Sequence, residues 1–272
     1  SKYKNNIKGL IVKIMSNYFL IPMFSWLAVS VIMIAIYLWA LKLKNNGIVD
    51  IFWAFNFTVI AAIIWAFADG NETRKNLVCA LAGLWSLRLG LYLLIRVGSH
   101  IKEEEGRYKQ LRKEWNNTKF FFFYQMQAFS NIMLAIPFFI IALNPAPEVS
   151  GLEYVGAILW LLCILGEGVA DWQLMHFKKN PANKGKVCQY GLWNYSRHPN
   201  YFFQFSIWVS VFIFAISSPF GWLSLICPVS IGYLIFKVTG IPMTEEQAIR
   251  SKGESYKEYQ RTTSVFVPWF KK

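Results

Sequence analysis

Residues 201–238 read YFFQFSIWVSVFIFAISSPFGWLSLICPVSIGYLIFKV. The run is apolar almost throughout but is interrupted near its middle by Ser217-Ser218-Pro219-Phe220. A helix needs about 20 mainly apolar residues to cross a bilayer. The stretch is too long for one crossing, so it divides into two short ones, 201–216 and 219–238, folded as a tight hairpin. Further apolar runs occupy about 18–40, 48–68, 77–97, 120–143 and 151–171, which makes seven spans. With seven, the Lys and Arg of the connecting segments sort unevenly, nineteen on one side and six on the other. A six-span count would destroy that bias. The excess of cations marks the cytoplasmic side, so the expected fold is an all-α integral membrane protein with its N-terminus outside and its C-terminus in the cytoplasm.

The composition agrees. The 272 residues are 55% hydrophobic, 18% aromatic and only 16% charged, against about 25% charged for soluble domains. This excludes a disordered chain and an ordinary soluble enzyme. Cys79, Cys163, Cys188 and Cys227 form no CxxC pair and three of them lie in apolar runs, so neither a disulfide framework nor a zinc site is expected. No charged, apolar and small-residue sequence marks a cleavable signal, and the first span is expected to act as its own. The long connections, about 98–119, 172–200 and 239–272, all fall on the cytoplasmic side, where function is expected to lie. There is no internal repeat, and residues 1–272 read as one membrane domain.

Ionisable and polar residues inside spans are costly and face a protein interior or cavity. Arg88, Tyr92 and Arg96 share one face of the third span, with Trp85 one turn earlier. Glu167 and Asp171 pair the same way on the fifth. Asp50 and Trp53 share a face of the second, with Asn56 near, and Gln125 and Gln127 lie on the fourth. Interhelical ion pairs, for example Arg88 with Asp50, would account for single members; a polar cavity open to the cytosol accounts for the set. Residues 167–204 then bring Lys178, Lys179, Lys184 and Lys186 ahead of Ser196-Arg197-His198-Pro199-Asn200-Tyr201. Cations beside a cavity suit a phosphate-bearing ligand, and a basic loop meeting anionic lipid is the plainer reading. Gly166-Glu167-Gly168 only imitates a dinucleotide fingerprint. His100, His176 and His198 have no ligand-like spacing, so no metal is expected. The run 102–113 reads as a solvated charged face. No nucleic-acid-reading motif accompanies the charge.

The motif SRHPNY resembles that of the membrane reductases and methyltransferases sharing a C-terminal half: steroid 5α-reductases, sterol C14-reductases and isoprenylcysteine carboxyl methyltransferases. The nearest likeness is to bacterial steroid 5α-reductase-like proteins and covers about residues 48–270. It is carried by Asp50-Ile51-Phe52-Trp53, Leu84-Trp85-Ser86-Leu87-Arg88-Leu89, Glu105-Gly106-Arg107-Tyr108, Asp171-Trp172-Gln173-Leu174, Asn180-Pro181-Ala182-Asn183-Lys184-Gly185, Gly191-Leu192-Trp193, Tyr256 to Thr263 and Phe266-Val267-Pro268-Trp269.

The resemblance implies a seven-helix enzyme of a bacterial inner membrane. Residues 1–119 would line the substrate cavity, and 120–272 would form the half that binds NADPH. Asp171, Lys178, Lys186, Arg197, Asn200 and Tyr201 then fall in the cofactor shell with Glu167 and Gln204, and Tyr256, Tyr259 and Arg261 would close over the nucleotide. Asp50, Trp53 and Trp85 fall at the substrate. Two positions depart from steroid reductases. Phe203-Gln204 stands where those enzymes have Gly-Glu, and Trp85 stands where they have a tyrosine that meets the substrate.

The expected activity is NADPH-dependent reduction of an activated C=C bond in a lipophilic, 3-oxo-steroid-like enone, with Arg88, Tyr92 and Gln125 meeting the developing oxyanion and Tyr92 as general acid. An S-adenosylmethionine-dependent lipid methyltransferase and a non-enzymatic lipid-binding protein with a decayed site are the alternatives. The expected partners are a lipophilic small molecule and membrane lipids.

Overall fold

Asn71 and Asn116 show how this sequence starts helices. Each side-chain oxygen accepts from the backbone N–H three residues on, Arg74 at 3.0 Å and Lys119 at 2.9 Å, satisfying donors that a helix start leaves open. The computed structural model describes residues 2–104 and 106–271, without the side chains of residues 2–16, 106 and 107. The side chains of Lys2, Lys4, Lys8, Lys13, Glu105, Arg107 and Lys272, which enter the charge asymmetry and the motif series, lie outside the described residues.

The helices are α1 (Lys2–Leu43), α2 (Ile48–Phe67), α3 (Glu72–Gly98), α4 (Gly106–Glu114), α5 (Asn117–Ala142), α6 (Gly151–Lys179), α7 (Pro199–Ala215), α8 (Ile226–Tyr233), α9 (Ile241–Lys252) and α10 (Glu254–Thr262). A 3₁₀ turn at Gly221–Leu225 precedes α8 and a π turn at Leu234–Val238 follows it. Among the described residues no strand forms, and one parallel bridge joins Ser196 to Ser264.

Among the described residues, six helical stretches are long and apolar enough to cross a membrane: Asn17–Leu43, α2, α3, α5, α6 and Gly221–Lys252. Helix α7 is apolar but has 17 residues, about 26 Å at the helical rise. Ser217 to Phe220 form the expected tight turn, with Ser218 N donating to Ala215 O at 2.9 Å and Gly221 N to Ser218 O at 2.8 Å.

The chain divides into two compact units. Residues 1–153 and 215–223 form the first, and residues 154–214 and 224–272 the second. In the first, α2 packs on α3 and α1, and α5 packs on all three. Val49, Phe57 and Ile60 of α2, Val78 and Trp85 of α3 and Phe138 of α5 are fully buried. The outward faces stay apolar, as Phe19, Val31 and Leu38 of α1 show, which is the inverse of a soluble helix and fits lipid as solvent. Arg74 and Glu153, both buried, meet at 2.5 Å, and Arg74 Nη1 also donates to Ala146 O at 2.9 Å. The N-terminal end of α3 is thus tied to the 143–150 loop. Helix α5, which the sequence reading places in the cofactor half, belongs to the first unit.

The second unit rests on α6 and α7. Helix α6 has 29 residues, about 43 Å. That exceeds the roughly 30 Å hydrocarbon core, so its Lys178 and Lys179 end reaches water.

Candidate functional site

Glu167 and Asp171 sit one turn apart on α6, both buried, and both meet α7. Asn200 Nδ2 donates to Asp171 Oδ1 at 3.2 Å. Gln204 donates to Glu167 Oε1 at 2.7 Å and accepts from Trp208 Nε1 at 3.1 Å in the amide orientation that satisfies both neighbours. The Phe203 ring lies over Gly166, where a Cβ would come within 2.4 Å of it. Gly166 and Glu167 of α6 thus form a Gly-Glu pair that faces α7. Phe203 and Gln204 fit against it.

The loop after α6 is folded back by its own motif residues. Gln173 Oε1 accepts from Leu192 N at 2.9 Å, and Trp193 Nε1 donates to Ala170 O at 2.9 Å. Gly191 has φ +58 and a Cβ there would meet Gln173 at 2.2 Å, so both backbone sign and space require glycine.

The SRHPNY segment is clasped to the tail. Arg197 Nε donates to Glu245 Oε1 at 2.7 Å, and its Nη1 donates to Gln260 O at 3.0 Å and Thr263 O at 2.7 Å. His198 Nε2 lies 3.2 Å from Glu245 Oε1, and Gln260 Nε2 donates to Glu245 Oε2 at 2.8 Å. Tyr201 OH lies 3.1 Å from Thr244 Oγ1 and stacks on His198. Tyr259 OH reaches Trp193 O and, at 3.0 Å, Ser196 O. Burial, with neighbouring Tyr256 and Glu245 among the further causes, pushes the Tyr259 phenol up, so it stays a donor. Tyr256 is buried beside Glu245 and Arg197 and shifts the same way, burial leading. Arg261 is exposed and pairs with Glu258 at 2.9 Å and Glu254 at 3.8 Å. Arg197, Tyr201 and Tyr259 thus hold the tail against the start of α7.

Beside this clasp lies a basin of ≈ 400 Å³ lined by Lys178, Lys179, Lys184, Lys186 and Lys252, with Leu174, Phe177 and Cys188. Its turn is built locally: Asn180 Oδ1 accepts from Ala182 N at 3.0 Å, Asn183 Nδ2 donates to Phe177 O at 3.0 Å, and Gly185 takes φ +80. Among the described residues no carboxylate lines it. Burial pushes the Cys188 thiol up despite the nearby lysines, so the basin presents cations without a thiolate. Such a set holds a ligand with several negative charges. A second groove of ≈ 450 Å³ is lined by Arg197, Gln260, Arg261, Thr263, Ser264, Val265, Val267, Trp269 and Phe270. The sequence-expected cofactor residues therefore separate: Lys178 and Lys186 in the basin, Arg197 and Arg261 at the groove, and Glu167, Asp171, Asn200 and Gln204 paired across α6 and α7.

In the first unit, Tyr108 OH donates to Asp50 Oδ1 at 2.9 Å and Trp53 Nε1 to Ser130 Oγ at 2.9 Å. Asn56 Nδ2 donates to Asn131 Oδ1 at 2.8 Å. Trp85 is fully buried and meets Phe57 edge-on at 5.0 Å. Arg88, Tyr92 and Gln125 are half-buried, and the buried Gln125 Nε2 has no hydrogen-bond partner among the described residues.

Sequence reasoning missed Glu245, the acceptor at the centre of the clasp. Gly240-Ile241-Pro242 announces a helix start, but Glu245 lies past its first turn, so no local signal marked it. It also missed Lys252, which counted only as an orientation charge, and the buried pair Asn46–Glu104, in which Asn46 N donates to Glu104 Oε1 at 2.8 Å.

The family described as a protein of unknown function, DUF1295, matches residues 16–263. An uncharacterized protein of Schizosaccharomyces pombe is similar, with 26% identity over 269 aligned positions that cover 85% of this chain and 75% of its own. No solved structure matches.

Proposed function

The chain belongs to the DUF1295 family, which is steroid 5α-reductase-like, and from that premise we propose that it is a membrane-embedded reductase. It would use NADPH on an activated C=C bond of a lipophilic, 3-oxo-steroid-like enone. The observation that carries the reading is the basin of five lysines without a carboxylate. NADPH brings a pyrophosphate and a further phosphate, whereas S-adenosylmethionine brings none. Lys178, Lys186 and Lys252 would hold the phosphates. Bound NADPH supplies a hydride, which must reach the β-carbon of the enone.

The protein's own task is then to meet the negative charge that grows on the substrate oxygen. Gln125 suits it: a buried amide N–H without a partner is a donor in want of an acceptor. Arg88 and Tyr92 share a helix face and supply a cation and a phenolic proton, so Tyr92 is the general acid of this reading. Trp53 and Asp50 already hold Ser130 and Tyr108, which makes them supports of the substrate side. Trp85 is a packing residue. We count seven crossings, with α7 among them, the C-terminus in the cytoplasm and, as the resemblance implies, a bacterial inner membrane.

The test is a thermal-shift titration of the detergent-purified protein with NADPH, NADH and S-adenosylmethionine. A ligand that binds only the folded state adds about 2.7 kcal/mol at a hundredfold excess over its Kd. NADPH alone should shift the transition, and Lys186→Ala should weaken that shift. A shift with S-adenosylmethionine alone replaces reduction by methyl transfer, and no shift with any of the three leaves a lipid-binding protein without cofactor.

A further inference from the structure

The tail after α10 has no part in the lysine basin, yet it carries an unusual surface. Val267, Trp269 and Phe270 are exposed, the last two by 68% and 75%. Tyr195 is exposed on the facing segment and meets Phe270 edge-on at 6.2 Å. The arrangement is held by backbone: Arg197 N donates to Ser264 O at 2.8 Å and Trp269 N to Tyr195 O at 2.9 Å. Ser196 Oγ adds a bond to Phe266 O at 2.7 Å. The apolar side chains are therefore displayed by a fixed segment.

The depth of that segment follows from Phe266. Its ring packs on Phe202 and Phe205 of α7 at 5.6 Å and 5.9 Å and on Phe236 of the π turn at 4.7 Å. Phe202 and Phe205 lie in the first two turns of α7, about 4 and 9 Å along the axis from Pro199. The tail thus lies level with the ends of apolar helices, in the zone where headgroups meet acyl chains and where Trp and Tyr collect.

The groove at this level combines two chemistries. Arg197 and Arg261 with the Thr263 and Ser264 hydroxyls form one part, and Val265, Val267, Trp269 and Phe270 form the other, with no carboxylate in the lining. Arg197 is committed to Glu245 and two carbonyls. Arg261 is the available cation, because its pairs with Glu254 and Glu258 are exposed and such pairs contribute little.

We propose that this groove is a binding site for the headgroup of an anionic phospholipid. The lipid phosphate lies at Arg261 and the upper acyl chain against Trp269 and Phe270. The proposal rests on the membrane placement of α7 given above but not on the cofactor reading. The occupant is a lipid, not a free phosphate, because the cations adjoin exposed apolar and aromatic side chains at interfacial depth.

The test is native mass spectrometry of the full chain released from neutral detergent with equimolar phosphatidylglycerol and phosphatidylcholine. Phosphatidylglycerol should be retained over phosphatidylcholine by about fivefold, as about 1 kcal/mol for one cation at an anionic surface implies. Arg261→Gln combined with Trp269→Ala should bring the two lipids to parity, while Lys186→Ala leaves their ratio alone. Both altered side chains in the double variant are exposed, and an unchanged melting temperature verifies its fold. Equal retention by the unaltered chain, or an unchanged ratio in the double variant, overturns the proposal. So does displacement of phosphatidylglycerol by glycerol phosphate, which would make the groove a soluble-phosphate site, or by NADPH, which would make it part of the nucleotide site. The NADPH thermal shift read on the same double variant keeps the two proposals separable, since loss of lipid preference with that shift intact, or the reverse, identifies which has failed.

Discussion

Gln204 faces Glu167 as an amide donor, and the pair is legible only from both helices at once. Restoring the acid of the steroid-reductase motif with Gln204→Glu would keep an acceptor for Trp208 Nε1 but set two carboxylates about as close as the present 2.7 Å, so that Glu167 loses its donor. The expected cost is about 1–3 kcal/mol, the range for losing a buried polar partner. Glu167→Gln in the same chain should recover most of it, and a double-mutant cycle on melting temperatures checks the coupling. Glu104 gives a second residue-level expectation. Burial pulls its carboxyl up, but Arg112 at 2.7 Å and Asn46 N at 2.8 Å outweigh this and hold it below the usual carboxylate range. A folded-state value below the unfolded one stabilises at pH above about 4.3, and the contribution fades as pH falls through the folded value. Melting temperature should therefore hold from neutral pH to about pH 5 and drop as pH falls below about 4, and Glu104→Gln should flatten that acid slope while lowering stability at neutral pH. Lys178, Lys186, Arg197 and Asn200 were readable because they crowd one stretch of chain. Glu245 was not, since it reaches Arg197 from 48 residues away.

Among the elements, the clasp of α9 and α10 onto the start of α7 depends on one carboxylate serving three donors. Glu245→Ala leaves the Arg197 guanidinium, whose side chain is 10% exposed, without its counter-ion. Breaking a buried pair in this way costs about 3–5 kcal/mol. Because the loss falls on one clasp, hydrogen exchange should speed up in residues 241–263 well before it does in α6, and uniform loss of protection would refute a local role. The apolar stretches were legible, because a long run of Leu, Ile and Phe leaves no other solution in lipid, but their polar extensions were not: α6 runs on to Lys179 and the last stretch to Lys252. Helix α4 was not. Its sequence GRYKQLRKE reads as a charged face, and α4 does expose Lys109 and Lys113. Tyr108 is buried, however, and reaches Asp50, and Arg112 reaches Glu104. Tertiary bonds thus convert a solvated run into a pinned helix. The π turn at Leu234–Val238 has no such sequence signal.

At the scale of the whole molecule, the quantity to decide is the number of crossings, and it turns on α7. Its 17 residues span about 26 Å, some 4 Å less than a typical hydrocarbon core. Local thinning meets a shortfall of that size at a fraction of a kcal/mol per Å, whereas leaving α7 out would place the cation-rich connections on both sides of the bilayer. The alternative is separable by labelling. In a chain stripped of its four native cysteines, Trp222→Cys and Lys184→Cys place single thiols at exposed positions after and before α7. If α7 crosses, a membrane-impermeant maleimide applied from outside should label only the first, and the second should react only after the cytoplasmic face is opened. Labelling of both from one side would make α7 re-entrant. Because the clasp keeps the tail on the face of residues 195–197, the stretch after α7 would then have to turn back as well, leaving five crossings.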